Sequence, residues 1–249
     1  MKVKILGSVS PYSKGEKNCP GYLIYTENGK VLLDCGSGIS RLMNFPDDLD
    51  NLTIIISHLH KDHYSELASI AYASFVYHNL GMLKSRINVY ISEDVDSQDY
   101  KYLMNFGEEQ YMTFHSYNEK SVISERGIKV SFKRTLHPGL TYAAQLKLTD
   151  GSNKKIHYSA DTAFDVELRS FFFESDLLIC ESSLLEEQKN SKLQHLTAKE
   201  AGVLARISGA KKMILTHFWP EIDKKLYLCE AKQEFENTYV AGEGDIYEI

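Results

Sequence analysis

The stretch TIIISHLHKDHYSEL, residues 53–67, places three of the chain's nine histidines within six positions, directly after an apolar run. The run LTIIIS at 52–57 is continuous and β-branched, which is typical of a strand buried on both faces. Residues two apart in an extended segment point the same way, so His58 and His60 are predicted to converge on one cation. Asp62 and His63 follow where the chain turns into a helix, and we expect them to face a second cation beside the first.

Three more candidate ligands stand at the ends of predicted strands. His137 follows VSFKRTL, Asp161 follows KKIHYSA and His217 follows KKMILT. Sites in α/β proteins commonly form where strands end, and zinc accepts both imidazole nitrogen and carboxylate oxygen. A single residue of this kind caps a turn about as often as it binds a metal. Three of them in order after the histidine cluster favour metal ligation.

Short β-branched or aromatic segments predict strands along most of the chain: KVKIL, GYLIYT, KVLLDC, LTIIIS, INVYIS, IKVSFKRTL, YAAQLKLT, KKIHYSA, SDLLICES and AKKMILTH. ENGK at 27–30 predicts a hairpin with a type I′ turn. Helical spacing predicts three helices, over about 64–78, over TAKEAGVLARISG and over DKKLYLCEAKQEF. In the second, Thr197 and Glu200 form a predicted capping box at the start, and Gly209 ends the helix. The segment 93–126 has no clear pattern. Alternating strands and helices without a linker predict one α/β domain, residues 1–249, with helices outside two central sheets.

Composition narrows the class of protein. The chain has 249 residues, 43% of them hydrophobic, and a net charge of −6, which argues against a strongly basic nucleic-acid cradle. Its four cysteines are far apart, so we interpret them as reduced thiols. The N-terminal residues do not resemble a signal peptide, and we find no apolar run of the ~18 residues that a membrane span needs. We therefore expect a cytoplasmic protein without membrane contact.

The pattern SHLHKDH, followed by His137, Asp161 and His217, resembles the metallo-β-lactamase superfamily, and VLLDCGSG at 31–38 matches its early strand and aspartate, here Asp34. The resemblance implies a four-layer αββα sandwich with a dinuclear metal site. It assigns His58, His60 and His137 to one metal, Asp62, His63 and His217 to the other, and Asp161 to both. Asp34 is expected to orient the histidine loop. The lactamases proper typically carry a cysteine where Asp161 stands, and the diiron branch carries a glutamate where His60 stands, so both activities are disfavoured.

The segment HLTAKEAGVLARISGAKKMILTHFWP resembles the ribonuclease Z branch of this superfamily. That branch has a His-Ser-Thr signature, for which His195-Leu196-Thr197 stands here, and a glutamate on the preceding strand, matched by Glu181. The resemblance implies that His195, paired with Glu181, protonates the leaving oxygen, while Asp62 helps to orient the attacking hydroxide. The long Gly- and Lys-rich arm with which that branch grips transfer RNA has no counterpart in this sequence. The resemblance therefore implies phosphodiesterase chemistry, and it leaves open whether the substrate is RNA.

The sequence thus predicts a phosphodiesterase with two zinc ions, or manganese, acting on a nucleotide or RNA phosphodiester. Two alternatives stay open: a thioester or lactone hydrolase of the glyoxalase and lactonase type, and a non-catalytic protein that binds metal or an anion. The remaining histidines, His78, His115 and His157, are interpreted as structural or solvated. The aromatic segment FVYHNLG and the tyrosine-rich middle leave a homodimer possible.

Overall fold

Strands dominate both halves of the chain, which a computed structural model describes at residues 1–106, 111–190 and 192–249. In chain order they are β1 (Lys2–Gly7), β2 (Gly21–Thr26), β3 (Gly29–Leu33), β4 (Leu52–Ile56), β5 (Ile87–Ser92), β6 (Met112–Tyr117), β7 (Val122–Glu125), β8 (Ile128–Arg134), β9 (Tyr142–Leu148), β10 (Lys155–Tyr158), β11 (Leu177–Glu181), β12 (Met213–Thr216), β13 (Thr238–Val240) and β14 (Ile246–Glu248). One sheet has the order β14-β1-β2-β3-β4-β5-β6, and the other has the order β13-β12-β11-β10-β9-β8-β7.

The helices of the described residues connect and cover these sheets. They are α1 (Lys61–Tyr64), α2 (Leu67–Asn79), α3 (Gln98–Met104), α4 (Leu168–Phe171), α5 (Ala198–Ser208) and α6 (Lys224–Lys232). Helix α2 packs on the outer face of the first sheet, and α5 contacts β11 and β12 of the second. The predicted αββα sandwich is confirmed, because two sheets lie at the centre with helices outside them.

The first sheet buries both of its faces, as its sequence pattern requires. Along β2, Tyr22 and Ile24 belong to the core between the two sheets, whereas Leu23 belongs to the core under α2. Successive side chains on a strand point to opposite faces, so a continuous apolar run serves both cores at once. In β4 the same alternation sends Ile55 to the inner core and Ile54 to the outer one.

Helix α5 is bounded as its sequence predicts. The Thr197 side chain accepts a hydrogen bond from the backbone N–H of Glu200, and the Glu200 side chain accepts one from the backbone N–H of Thr197. Gly209 ends the helix in the left-handed region, at a φ of 67°. The N-cap residue Thr197 stands two residues after His195, so the capping box fixes the backbone immediately after that histidine.

Two local predictions need correction, and the structure fills one segment that the sequence pattern left without a prediction. The hairpin at 27–30 forms, but the prediction of a type I′ turn is wrong. The two loop residues are Glu27 and Asn28, and neither has the positive φ that this turn requires. Gly29 belongs to the ladder, where its φ is 140°. A side chain at Gly29 would also come within 2.6 Å of the Asn51 carbonyl oxygen. The helix predicted at about 64–78 begins earlier and is split into α1 and α2. The unassigned segment 93–126 contains α3, β6 and β7, while its residues 107–110 lie outside the described part.

Helix α2 carries apolar side chains on its outer face as well. Tyr72, Phe75 and Val76 are exposed, and the Tyr72 and Phe75 rings stack with centroids 6.3 Å apart. The homodimer stays a prediction, as does the cytoplasmic location. In the described ranges, none of the helices has the length and apolar character needed to cross a bilayer.

Candidate metal centre

The site lies where the carboxyl ends of parallel strands from both sheets meet. In the first sheet β3 and β4 run parallel, so Asp34 and His58 leave at the same edge. In the second sheet β10, β11 and β12 run parallel, so Asp161, Ser183 and His217 leave at one edge too. Ligands commonly bind at such strand ends, and here the two edges contribute to one cluster.

The first group of the cluster contains His58, His60, His137 and Asp161, with one potential ligand atom from each lying within 4.8 Å of the others. His60 Nδ1 lies 3.0 Å from His58 Nε2 and 3.2 Å from His137 Nε2. Asp161 Oδ2 lies 3.6 Å from each of the same two Nε2 atoms. These ring nitrogens and one carboxylate oxygen surround a common point, which is the arrangement that a divalent cation requires.

The second group contains Asp62, His63 and His217. His63 Nε2 and His217 Nε2 are 3.2 Å apart, and Asp62 Oδ2 lies 3.4 and 3.5 Å from them, respectively. Asp161 joins the two groups, because its Oδ1 lies 3.2 Å from His217 Nε2 while its Oδ2 faces the first group. All seven side chains predicted as ligands are therefore brought together, in the two sets that the resemblance to the metallo-β-lactamase superfamily implies.

Hydrogen bonds outside the cluster orient most of these rings. Four histidines direct Nδ1 at an oxygen: His63 at Asp34 Oδ2 (2.7 Å), His137 at the Gln194 carbonyl (2.9 Å), His217 at Ser183 Oγ (2.8 Å) and His58 at Ser57 Oγ (3.1 Å). When Nδ1 carries the proton and donates it outward, Nε2 keeps a lone pair. The four lone pairs then point into the cluster, as metal ligation demands.

Burial and charge set the protonation of the cluster. Burial is the main cause that lowers the pKa of His58, of His60 and of His137, which favours their neutral, ligating forms. Burial acts in the same direction on His63, but Asp161, Asp62 and Asp34 outweigh it and raise the pKa of that ring well above its usual value. In the absence of a cation, the carboxylates of Asp161, Asp62 and Asp34 thus keep His63 protonated.

The residues present fit a divalent metal centre. Asp161 is buried, and no described group makes a hydrogen bond to its Oδ1. A buried carboxylate oxygen without a donor costs free energy unless another positive group satisfies it. Together with five imidazoles that face one another, this oxygen indicates that the cluster binds divalent metal ions.

His195 and Glu181 form a pair beside the first group. His195 Nδ1 donates to Glu181 Oε1 at 2.9 Å, and the His195 ring centroid lies 4.9 Å from that of His137. Burial lowers the pKa of His195, but the charge of Glu181 and its hydrogen bond outweigh burial and raise this pKa to about 9. A protonated imidazole, whose Nε2 is free of this bond, therefore stands next to the candidate metal ligands.

A pocket of about 760 Å³ opens beside His137 and His195. Three apolar side chains that are at least one-third exposed, Leu136, Phe164 and Leu193, line it together with Arg134, Lys189 and Gln194 among others. Drug-sized ligands occupy pockets of this size, in which apolar walls carry most of the contact and a few polar groups orient the ligand.

Sequence reasoning missed two hydroxyls of the site. Ser10 Oγ donates to Asp62 Oδ2 at 2.8 Å, because a parallel bridge between Val9 and Phe218 brings the N-terminal loop to the strand end. This contact spans 52 residues, and no local pattern indicates it. Ser183 contacts both Glu181 and His217. Its position could have been predicted from the sequence, because it stands two residues after Glu181, where the chain leaves β11, and residues two apart in an extended segment point the same way.

Comparison with known proteins places the chain in a family. The sequence model of the family described as Anti-Pycsar protein Apyc1 matches residues 1–238. The chain is 28% identical over 223 residues to the probable metallo-hydrolase YhfI of Bacillus subtilis, covering 87% of this chain and 86% of that protein. It is also 28% identical over 300 residues to the ribonuclease Z of Archaeoglobus fulgidus, covering 96% of this chain and 95% of that protein.

Solved structures agree with this placement. The crystal structure of YhfI, a metallo-β-lactamase fold protein, matches with a TM-score of 0.88 at 25% identity, covering 99% of this chain and 98% of that one. The short form of human tRNase Z shares the fold, with a TM-score of 0.77 at 20% identity, covering 100% of this chain and 99% of that one. The chain therefore belongs to the Anti-Pycsar protein Apyc1 family and is a metal-dependent hydrolase of the metallo-β-lactamase superfamily, on its ribonuclease Z-like branch.

Proposed function

We propose that this protein is a dinuclear phosphodiesterase that cleaves a nucleotide or RNA phosphodiester. The observation that supports this most directly is the His195–Glu181 pair, 2.9 Å apart, beside the candidate metal ligands. Phosphodiester cleavage expels an alkoxide, which needs a proton from a positioned acid. Hydrolysis of a thioester expels a thiolate, a better leaving group, and gives this pair no comparable task.

The seven clustered side chains would hold two divalent ions. Imidazole and carboxylate ligands favour zinc, and manganese accepts the same set when it is available. When bound, such a pair of ions supplies Lewis-acid polarisation of the phosphoryl oxygens and lowers the pKa of a water molecule towards neutrality.

The chain's own groups divide the remaining work. Asp62, held through its Oδ2 by Ser10, orients the attacking water. His195 donates a proton from Nε2 to the departing oxygen, while Glu181 holds the ring through Nδ1 and stabilises its charged form. Positioned proton donors of this kind contribute a factor of about 10²–10⁴ to the rate.

The pocket beside His195 accommodates the part of the substrate that carries the leaving oxygen. Its volume of about 760 Å³ suits a molecule of nucleotide size, and the ring of Phe164, about one-third exposed, offers a flat apolar surface for a base. Arg134 lines the same pocket and supplies a positive charge for phosphate. We therefore expect the protein to cleave a small nucleotide phosphodiester in preference to a large RNA.

The test compares leaving-group chemistry on one preparation. Protein reconstituted with zinc is assayed with an aryl phosphodiester, cyclic mononucleotides, a short RNA, a thioester and a lactone. The proposal predicts cleavage of the phosphodiesters, with a nucleotide substrate preferred, and kcat/KM for the thioester and the lactone at least a hundredfold lower. Faster turnover of the thioester or lactone would contradict it, as would zinc-loaded protein that cleaves none of the phosphodiesters.

A further inference from the structure

Ser183 stands between the candidate metal ligands and the candidate proton donor. Its Oγ lies 2.8 Å from Glu181 Oε2, 2.8 Å from His217 Nδ1 and 3.3 Å from His195 Nδ1. The backbone N–H of Ser183 also donates to Glu181 Oε2, at 3.2 Å. One hydroxyl thus contacts a carboxylate and two imidazoles that belong to different parts of the site.

The hydrogen bonds of Glu181 decide the direction of the proton on Ser183. Glu181 Oε1 accepts from the Thr162 N–H at 2.8 Å and from His195 Nδ1 at 2.9 Å, so its second oxygen depends on Ser183. If the hydroxyl donated elsewhere, two oxygen atoms without a proton between them would face each other at 2.8 Å inside the protein. The hydroxyl therefore donates to Glu181, and His217 Nδ1 must donate to the hydroxyl.

We propose that Ser183 is a positioning residue, whose hydroxyl links the Glu181 carboxylate to the His217 ring. This link keeps the Nε2 lone pair of His217 directed at the second group of candidate ligands, beside Asp62 and His63. One carboxylate then serves both histidines: it binds His195 directly and His217 through Ser183. The inference deepens the proposed function and rests on it, since it concerns the same metal centre.

The neighbouring Ser182 provides a matched control. It is buried at the same strand end and its Oγ donates to the Thr216 carbonyl at 3.1 Å, so its hydroxyl bonds to backbone rather than to a histidine of the site. Removing either hydroxyl changes the same number of atoms at adjacent positions. A general weakening of the strand end would therefore appear in both variants.

The experiment measures zinc affinity rather than turnover. Apoprotein of the wild type, Ser183→Ala, Ser183→Thr and Ser182→Ala is titrated with Zn²⁺ against a chromophoric chelator, after thermal unfolding has shown that each is folded. We expect Ser183→Ala to weaken one of the zinc sites by about 10- to 100-fold, which is the usual effect of removing a hydrogen-bond partner of a ligand. Ser183→Thr, which keeps the hydroxyl, should retain most of the affinity, and Ser182→Ala should match the wild type.

Unchanged zinc affinity in Ser183→Ala would overturn the inference. An equal loss in Ser182→Ala, or a threonine variant no better than alanine, would overturn it as well. Failure of the proposed function has a different signature: wild-type protein that binds zinc but cleaves no phosphodiester. In that case the difference in affinity between Ser183→Ala and Ser182→Ala still decides the role of Ser183.

Discussion

Asp34 Oδ2 lies 2.7 Å from His63 Nδ1, and both side chains are fully buried. The same oxygen accepts hydrogen bonds from Tyr158 at 2.7 Å and from the Ser57 hydroxyl at 2.9 Å, while Oδ1 accepts the Ser57 backbone N–H at 2.7 Å. Asp34 follows a strand of the first sheet and Tyr158 ends a strand of the second. The orientation of His63 is thus fixed by groups from both sheets, as the expected role of Asp34 requires.

Replacing Asp34 by asparagine should weaken zinc binding by about 10- to 100-fold, because an amide cannot accept from His63 Nδ1, Ser57 and Tyr158 as a carboxylate does. The measurement is the same competition titration with Zn²⁺. Asp48→Asn is the control, since Asp48 is also buried and accepts from Tyr25 and Asn44 away from the cluster. Wild-type affinity in Asp34→Asn would show that the ring is held by its ligand contacts alone.

His195→Ala should lower kcat on the preferred phosphodiester by about 10²–10⁴-fold while zinc content stays the same. His195 is not one of the predicted ligands, but one of its ring nitrogens lies within 4.8 Å of potential ligand atoms of Asp161 and His217, and its ring stacks on that of His217 at a centroid distance of 5.4 Å. His115→Ala serves as the control, because His115 stacks on Tyr90 elsewhere in the first sheet. Loss of zinc together with activity in His195→Ala would make His195 a ligand instead of a proton donor.

The pH dependence of kcat should decline on the alkaline side. Glu181 raises the pKa of His195 to about 9 against the opposing effect of burial, so the ring carries its proton below that pH and loses it above. A group that must donate a proton therefore acts at neutral pH and fails as the pH rises through its pKa, which bound cations beside His195 would lower from about 9. The profile of His195→Ala should lack this decline, and an identical decline in both proteins would assign it to another group.

His157 predicts a pH dependence of stability away from the site. Its Nδ1 donates to Ser175 Oγ at 2.5 Å and its Nε2 accepts from Gln145 at 2.8 Å, which fixes a neutral ring. Burial, with a contribution from the charge of Lys155, lowers its pKa to about 3. Since an unfolded histidine titrates at about 6.5, this ring stabilises the fold fully above pH 6.5 and progressively less as the pH falls towards 3, with a loss of about 3 kcal/mol at pH 4.5.

The measurement is urea unfolding of the apoprotein at pH 7 and pH 4.5, for wild type and His157→Gln. The other histidines titrate equally in both proteins, so the difference between the two pH dependences isolates His157. We expect the variant to lose less free energy of unfolding on acidification than the wild type. An equal loss in both would mean that His157 accepts a proton without cost to the fold.

The candidate ligands were predictable because their signals are local. His58 and His60 are two apart in an extended segment, and their rings do meet, with nitrogens 3.0 Å apart. Asp161 and His217 follow segments that the sequence predicts as strands, and parallel pairing brings the ends of these strands to one edge. The capping box of Thr197 and Glu200 is equally local, and it forms as predicted.

What the sequence did not indicate depends on pairing between distant segments. Ser10 reaches Asp62 only because the N-terminal loop bridges to the residue after His217. The predicted type I′ turn was wrong because the two loop residues of the hairpin are Glu27 and Asn28, one position earlier than the Asn28-Gly29 pair that the prediction used. Gly29 instead pairs with Thr26 in the ladder, close to the Asn51 backbone. A bridge between two residues 209 positions apart, Val9 and Phe218, is not specified by neighbouring side chains.

If the seven clustered side chains bind a pair of cations, the number of zinc ions bound per chain must show it. Apoprotein is reconstituted with excess Zn²⁺, dialysed, and analysed for zinc by mass spectrometry, with Asp161→Ala as the variant and the exposed Asp150→Ala as the control. We expect two zinc ions per chain in the wild type and in Asp150→Ala, and one or fewer in Asp161→Ala, because Asp161 contacts both groups. Folded wild-type protein that retains less than one zinc ion per chain, or an Asp161→Ala variant that keeps two, would contradict it.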